Sequence, residues 1–278
     1  MDADSANQSL TLSSRREFVQ RTLGLAALTA FGLSIRIAYA SSGAPTIRNF
    51  SSISGFDDPV TLPQPVVGNA IYVFVFSTAP VTSGIADSAG NTYTFLKNQA
   101  DSNSNYTAVF RAPVTAGGSG TLEVTTSIGG GLCAIEVAND NGVDGTVAAG
   151  TYSGNAGGTL SASAITTTVA TDLILSAAYD QNNAALSADT GTLVASANGI
   201  GGDSAIVQAH TTSSAGSYTE SFTVPASSGE TASMIAIAIM GGGTSGGSWL
   251  AGESNSISHL RQSKAGQEGV NLPFFSGP

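Results

Sequence analysis

The sequence has little sulfur, little charge and few basic groups. Cys133 is the one cysteine among 278 residues, which excludes an internal disulfide and any cysteine-rich metal site. Charged residues make up 10% of the chain, against about 25% in ordinary soluble domains. With residues 1–40 set aside, five Lys or Arg stand against sixteen Asp or Glu. That balance argues against nucleic acid or an anionic membrane surface as a partner. Two histidines and one tryptophan limit histidine chemistry and indole stacking. What is abundant is apolar surface and glycine: 41% hydrophobic residues and 34 glycines. So large an apolar share supplies a core and excludes wholesale disorder.

The first forty residues read as an address. Arg15 and Arg16 stand in Ser14-Arg15-Arg16-Glu17-Phe18-Val19-Gln20, before an apolar run from Leu23 to Leu33. Arg36 follows, and then Ala38-Tyr39-Ala40, an A-x-A cleavage site. The run is about half of the ~20 residues that cross a bilayer, so no membrane span is expected in the mature chain. The segment resembles twin-arginine (Tat) export signals. The resemblance implies the Tat translocase and signal peptidase as partners, folding before export, and a place in the periplasm, on the cell surface or in the medium. Such cargo often carries a cofactor; the sequence holds no site for one.

After residue 40 no apolar period of 3.6 is sustained. Short runs rich in Val, Ile, Thr, Tyr and Phe alternate with Gly, Ser, Asn and Pro, the pattern of an antiparallel all-β sandwich. Thr121–Thr125 alternates cleanly, with Leu122 and Val124 on one face and Glu123 among the polar residues on the other. Ser217–Val224 alternates likewise. Residues 70–76 (AIYVFVF) are apolar on both faces and predict a central strand. In residues 132–138 Cys133, Ile135 and Val137 point inward, and Glu136 is expected on the wet face. Residues 231–240 predict a closing strand. Asp87-Ser88-Ala89-Gly90-Asn91, Asn141-Gly142 and Asn198-Gly199 predict turns. Pro59, Pro63 and Pro65 mark an edge or a loop.

Segments 68–138 and 171–240 align as pseudo-repeats with offsets of roughly one hundred residues. Residues 70–76 match 172–178, 92–96 match 191–194, 106–112 match 205–209, 121–125 match 218–222, and 132–137 match 233–238. Either each half forms its own sandwich or the halves interleave into one. The few clear strands in each half favour interleaving. The expected organisation is therefore a signal peptide (1–40), a β-sandwich domain (41–241), and a Gly-rich linker with a flexible tail (242–278). The tail carries Trp249 and the apolar Asn271-Leu272-Pro273-Phe274-Phe275.

The turn Asp87-Ser88-Ala89-Gly90-Asn91-Thr92-Tyr93, the strand Ala215-Gly216-Ser217-Tyr218-Thr219 and the Ala/Ile closing strand resemble those of bacterial secreted and surface β-sandwich modules, jelly-roll or Ig-like in shape. The resemblance covers about residues 46–241. It implies fold and location, since that group includes adhesive, glycan-binding and purely structural members.

Candidate chemistry is sparse. His210 lies in a strand and reads as a surface residue, with no G-x-S-x-G elbow to accompany it. Cys133 reads as a small core residue. Glu123 and Glu136 read as wet-face residues. Glu220 shares the face of Tyr218 and Phe222, which places it at a rim or lining a pocket. No Glu-x-Asp-x-x-Glu strand supports a glycosidase. Asp140, Asn141 and Asp144 gather oxygen ligands in one turn and form the candidate Ca²⁺ site, although Gly142 and Thr151 depart from the EF-hand pattern. Asp57-Asp58 and Asp180-Gln181-Asn182-Asn183 are lesser versions of the same idea. Tyr152 and Tyr179, next to loops, are the candidate glycan-stacking residues. The expectation is an exported, non-enzymatic binding or structural module without a resident cofactor. The alternatives are a lectin-like carbohydrate-binding protein and a surface or filament subunit that self-associates through its tail.

Overall fold

In the computed structural model, residues 43–241 are described, apart from 118–119, 181, 183–184 and 201. The twin-arginine segment, the A-x-A site, the Gly-rich segment and the tail lie outside the described residues. Eighteen strands and no helix occur among the described residues. In chain order they are β1 (Thr46–Phe50), β2 (Val60–Pro63), β3 (Ala70–Ser77), β4 (Ile85–Asp87), β5 (Thr94–Ala100), β6 (Tyr106–Pro113), β7 (Thr121–Thr126), β8 (Gly131–Ala138) and β9 (Val143–Gly154). They continue with β10 (Gly158–Ser161), β11 (Ile165–Thr167), β12 (Leu173–Asp180), β13 (Ser187–Ala188), β14 (Thr192–Ile200), β15 (Asp203–Thr211), β16 (Gly216–Tyr218), β17 (Ser221–Val224) and β18 (Glu230–Ile239). All pairings are antiparallel, as an all-β sandwich requires.

Two large sheets dominate. The first has the order β1-β8-β3-β6-β5; the second, read from its first strand, has the order β9-β18-β12-β15-β14. Four of the five aligned pairs occupy the same place in their large sheets; the fifth sets β7 against the break between β16 and β17. Strand pairing stays within each half, so the halves do not interleave. Sequence reading took residues 139–158 for a joining loop and so missed the twelve-residue β9; it also missed the short β2, β4, β10, β11 and β13, hidden in Pro-, Gly- and Ser-rich stretches. They build small outer sheets, β2-β7-β4 in the first half, and β10-β17-β13 with β11-β16 in the second.

The result is a stack of four layers. The inner faces of the large sheets meet in a core that joins Tyr72, Phe74, Phe76, Cys133 and Ile135 to Leu175, Tyr179, Val207, Ile235 and Ile237. The outer face of the first large sheet packs on β2 and β7 through Val73, Val75, Phe110, Leu62 and Val124. The outer face of the second packs on the small sheets through Ile174, Met234, Leu160, Ile165 and Phe222. Each large sheet is thus buried on both faces, which is why β3 and β18 are buried along their whole length. A buried Phe or Leu contributes about 1.5–3 kcal/mol each. Within the central layer the Thr107 hydroxyl donates to the Ser233 carbonyl at 3.1 Å, bonding one large sheet to the other.

Local chemistry fixes the turns. Asp87 Oδ1 accepts from the Ala89 and Asn91 amides, both at 3.0 Å, and Gly90 takes a φ of 77°. Tyr93 donates to Asp87 Oδ2 at 2.9 Å, so the DSAGNTY stretch pins its own loop. Asn198-Gly199 is not the hairpin turn but the end of β14, because Ile200 still pairs with Asp203. Residues 217–224 form two strands, β16 and β17, which belong to different sheets; Glu220 lies at the break. At Gly150 the backbone of β9 passes against the end of β10. A Cβ there would lie 1.9 Å from the Ser161 carbonyl oxygen.

Candidate functional site

Tyr179 does not stand on a surface. It is fully buried in the central core, its ring 5.9 Å from Phe76 and its hydroxyl donating to Asp203. The parity of β12 explains this: residues 173, 175, 177 and 179 all face the first large sheet. Burial, with the Asp203 hydrogen bond and the charges of Asp203 and Asp101, pushes its phenol far up. Tyr152 is half-buried, and its ring lies over Gly154 and Gly158. The two tyrosines form no common exposed patch, which removes the aromatic platform the lectin-like reading needed.

The residues of the candidate calcium loop are sent to separate partners. Asp140 Oδ1 accepts from the Tyr72 hydroxyl at 3.0 Å and the Gly142 amide at 2.9 Å; Oδ2 takes Arg111 Nε at 2.9 Å. Asp144 accepts from the Thr168 amide and, at 2.8 Å, from its hydroxyl, with the Asp172 carboxyl beside it. The Asn141 amide donates to the Asn139 carbonyl at 3.3 Å. Among the described residues no group of three or more His, Cys, Asp or Glu is placed to hold a metal ion. Burial works against ionisation of Asp144, but the hydrogen bonds from Thr168, Asp172 and Val169 hold it below the usual carboxylate range. Asp172 is pushed up to about 6 by burial and by Asp144, against the Gly241 amide that favours its charge.

Glu136 is not on a wet face. The outer face of β8 is covered by β2 and the chain between β2 and β3, and Glu136 is fully buried there. Its oxygens accept from the Val66 amide at 2.8 Å, Asn69 at 2.6 Å, Asn49 at 2.6 Å and Arg48 at 2.9 Å. Burial opposes ionisation, yet these four donors hold the Glu136 carboxyl below the ordinary range.

The arrangement with most chemical content is one that sequence reading set aside. His210, near the end of β15, is partly exposed, and its Nδ1 lies 3.0 Å from Oε1 of the buried Glu220. Thr190 donates to Glu220 Oε2 at 2.8 Å and Gln208 at 3.2 Å. An ionised carboxylate only accepts, so with Glu220 in that form the contact takes a proton on His210 Nδ1 and leaves Nε2 free of this bond. The ring packs edge-on against Tyr218 at 5.6 Å. His210 lines a groove of about 610 Å³ formed by residues 45–47, 190–192 and 209–211 with Leu173. Threonines 46, 190, 192 and 211 bring hydroxyl-bearing side chains to its lining; Pro45, Ile47 and Leu173 supply apolar contact. The signal available in the sequence was parity: Gln208 and His210 share a face of β15, and Glu220 sits at the β16–β17 break that turns toward it.

Compared with family models, curated proteins and solved structures, the chain matches none.

Proposed function

We propose that this chain is an exported, non-enzymatic recognition module, in which a rigid four-layer β stack presents the His210 groove to a hydroxyl-rich ligand of the glycan class. The observation that carries this reading is the Glu220–His210 pair at the groove. A buried carboxylate is costly unless it is fully hydrogen-bonded. Here it is bonded by Thr190, Gln208 and His210, and it fixes the tautomer and direction of an imidazole that borders open space. Hydroxyl and imidazole groups beside apolar carbon match the alternating polar and apolar faces of a sugar.

The test is a polysaccharide array probed with the full chain, followed by titration of any hit. Saturable binding that His210→Ala weakens at least tenfold, in a variant still folded at the assay temperature, supports the reading. Binding that survives His210→Ala, or no binding to any glycan, overturns it.

A second reading, a self-associating surface subunit, is favoured by one edge. β14 borders the second large sheet, carries no charged residue along Thr192–Ile200, and exposes Leu193 at 52%. Bare edges of this kind accept an added strand.

A further inference from the structure

Asp180 ends β12 on the outer face of the second large sheet. Its register partner in β15 is Ser204, and its partner in β18 is Ala232. Glu230 lies two residues before Ala232, on the same face of β18. That diagonal, roughly 7–8 Å between Cα atoms, is within the reach of a glutamate side chain. Three neighbouring strands therefore aim Ser204, Asp180 and Glu230 at one place, and all three are fully buried.

The hydrogen-bond inventory at this place is incomplete. Asp180 Oδ1 accepts from the Asn182 amide at 2.8 Å. Among the described residues, no donor reaches Asp180 Oδ2, either oxygen of Glu230, or Ser204 Oγ. The Asp180 and Glu230 carboxyls lie within hydrogen-bonding reach of each other, a contact that forms only if one of them is protonated. The other charge felt there, Asp101, is also negative. Tyr179 and Asp203, the neighbouring titratable pair, are bonded to each other. Burial, then the Glu230 carboxyl and Asp101, push Asp180 up to about 7, against the Asn182 amide.

Two apposed carboxylates away from water need either a shared proton or a cation. Four oxygens without a donor, set on three rigid strands, are the donor set of a hard cation. We propose that Asp180, Glu230 and Ser204 form a Ca²⁺ site at this end of the second large sheet. Ca²⁺ takes about six to eight oxygens in adaptable geometry, whereas Mg²⁺ demands a near-ideal octahedron and retains its water. The site is separate from the Asp140–Asp144 loop. It lies six positions along β15 from His210, about 20 Å away, so it stands or falls independently of the recognition groove.

The test uses the full chain, freed of metal by chelation and dialysis, with CaCl₂ added at pH 8. Ca²⁺ is expected to raise the melting temperature by about 5 °C at one hundred times its dissociation constant. Asp180→Asn and Glu230→Gln should each abolish that rise without lowering the metal-free melting temperature, since each relieves the carboxylate pair. Asp144→Asn should keep the rise. No response of the wild-type chain to millimolar Ca²⁺ overturns the proposal and leaves the shared proton as the account of the pair. A response that survives Asp180→Asn and Glu230→Gln, or an equal response to Mg²⁺, overturns it as well.

Discussion

The first half buries one carboxylate, Glu136, on the outer face of its large sheet, and four donors close around it. The second half buries several there, among them Asp180, Glu220 and Glu230. It satisfies Glu220 and leaves Asp180 and Glu230 largely without donors. Among the described residues, the buried polar atoms lacking a partner belong to Asp172, Ser176, Asp180, Ser204, Glu230 and Thr231 in the second half, and to Asn98 alone in the first. The same strand order is thus built to two standards. A buried polar group left unpaired costs about 1–3 kcal/mol, and such costs concentrate where a site is kept ready. The first half reads as scaffold, save that residues 45–47 line the groove; the second carries the rest of the groove and the carboxylate pair.

Substituting matched acids breaks the comparison most directly. Glu136→Ala removes the shared acceptor of four donors, of which Arg48 is exposed and can turn to water, and is expected to lower stability by about 2 kcal/mol. Glu230→Gln, in chelator at pH 8, removes one of two apposed charges and should raise stability by about 2 kcal/mol. Urea unfolding of both variants checks the opposite signs. Two losses of similar size would show that the second half is as well satisfied as the first.

The pH profile separates the halves again. Asp172 keeps its proton in the folded chain up to about pH 6. Its contribution is therefore fully present below the unfolded carboxylate value, near pH 4, and is lost as pH rises through about 6. Glu136 behaves oppositely, since its lowered value adds stability above about pH 4 that disappears in acid. Asp144 shares the sign of Glu136 and titrates together with Asp172. Asp172→Asn should flatten the decline between pH 4 and 6 by on the order of 1 kcal/mol, read from urea midpoints across that range. Asp180, pushed up to about 7, and Asp203, also raised, add declines of the same sign, so the comparison is with wild type: a slope unchanged in Asp172→Asn would place the titrating group elsewhere.

Much of the fold was legible, and the reason shows where the rest was not. Runs apolar on both faces, as in β3 and β18, declared doubly buried strands, and β7 showed its alternation. A period of two says which face a side chain takes; it does not say whether that face is covered. Glu136 alternates outward, as the sequence indicates, but outward there means toward β2 and its loop. Glu220 was read as a rim or pocket acid, and its bond to His210 needed two segments ten residues apart to converge. The parity that buries Tyr179 was readable in Leu173, Leu175 and Ala177, and was masked by its place beside a polar loop. The calcium expectation weighed ligand types in one loop, whereas the fold draws Asp140 toward Arg111 and Asp144 toward Thr168.

The smallest expected effect is the one that decides between the recognition and self-association readings. β5 and β14 are the matching edges of the two large sheets, and each slips register near its start, at Phe95/Lys97 and at Leu193/Ala195. β5 carries Lys97 in its edge; β14 carries no charge and exposes Leu193. A lysine on an edge discourages strand addition, because pairing would bury its charge. Leu193→Lys gives β14 the protection β5 already has. Leu193 is exposed, so stability should change by less than about 0.5 kcal/mol. If the second half works through its groove, light scattering should give the same mass for variant and wild type, with glycan binding retained. If wild-type assemblies dissociate in the variant, the uncharged edge is an interface, and the lower standard of the second half serves assembly as well as recognition.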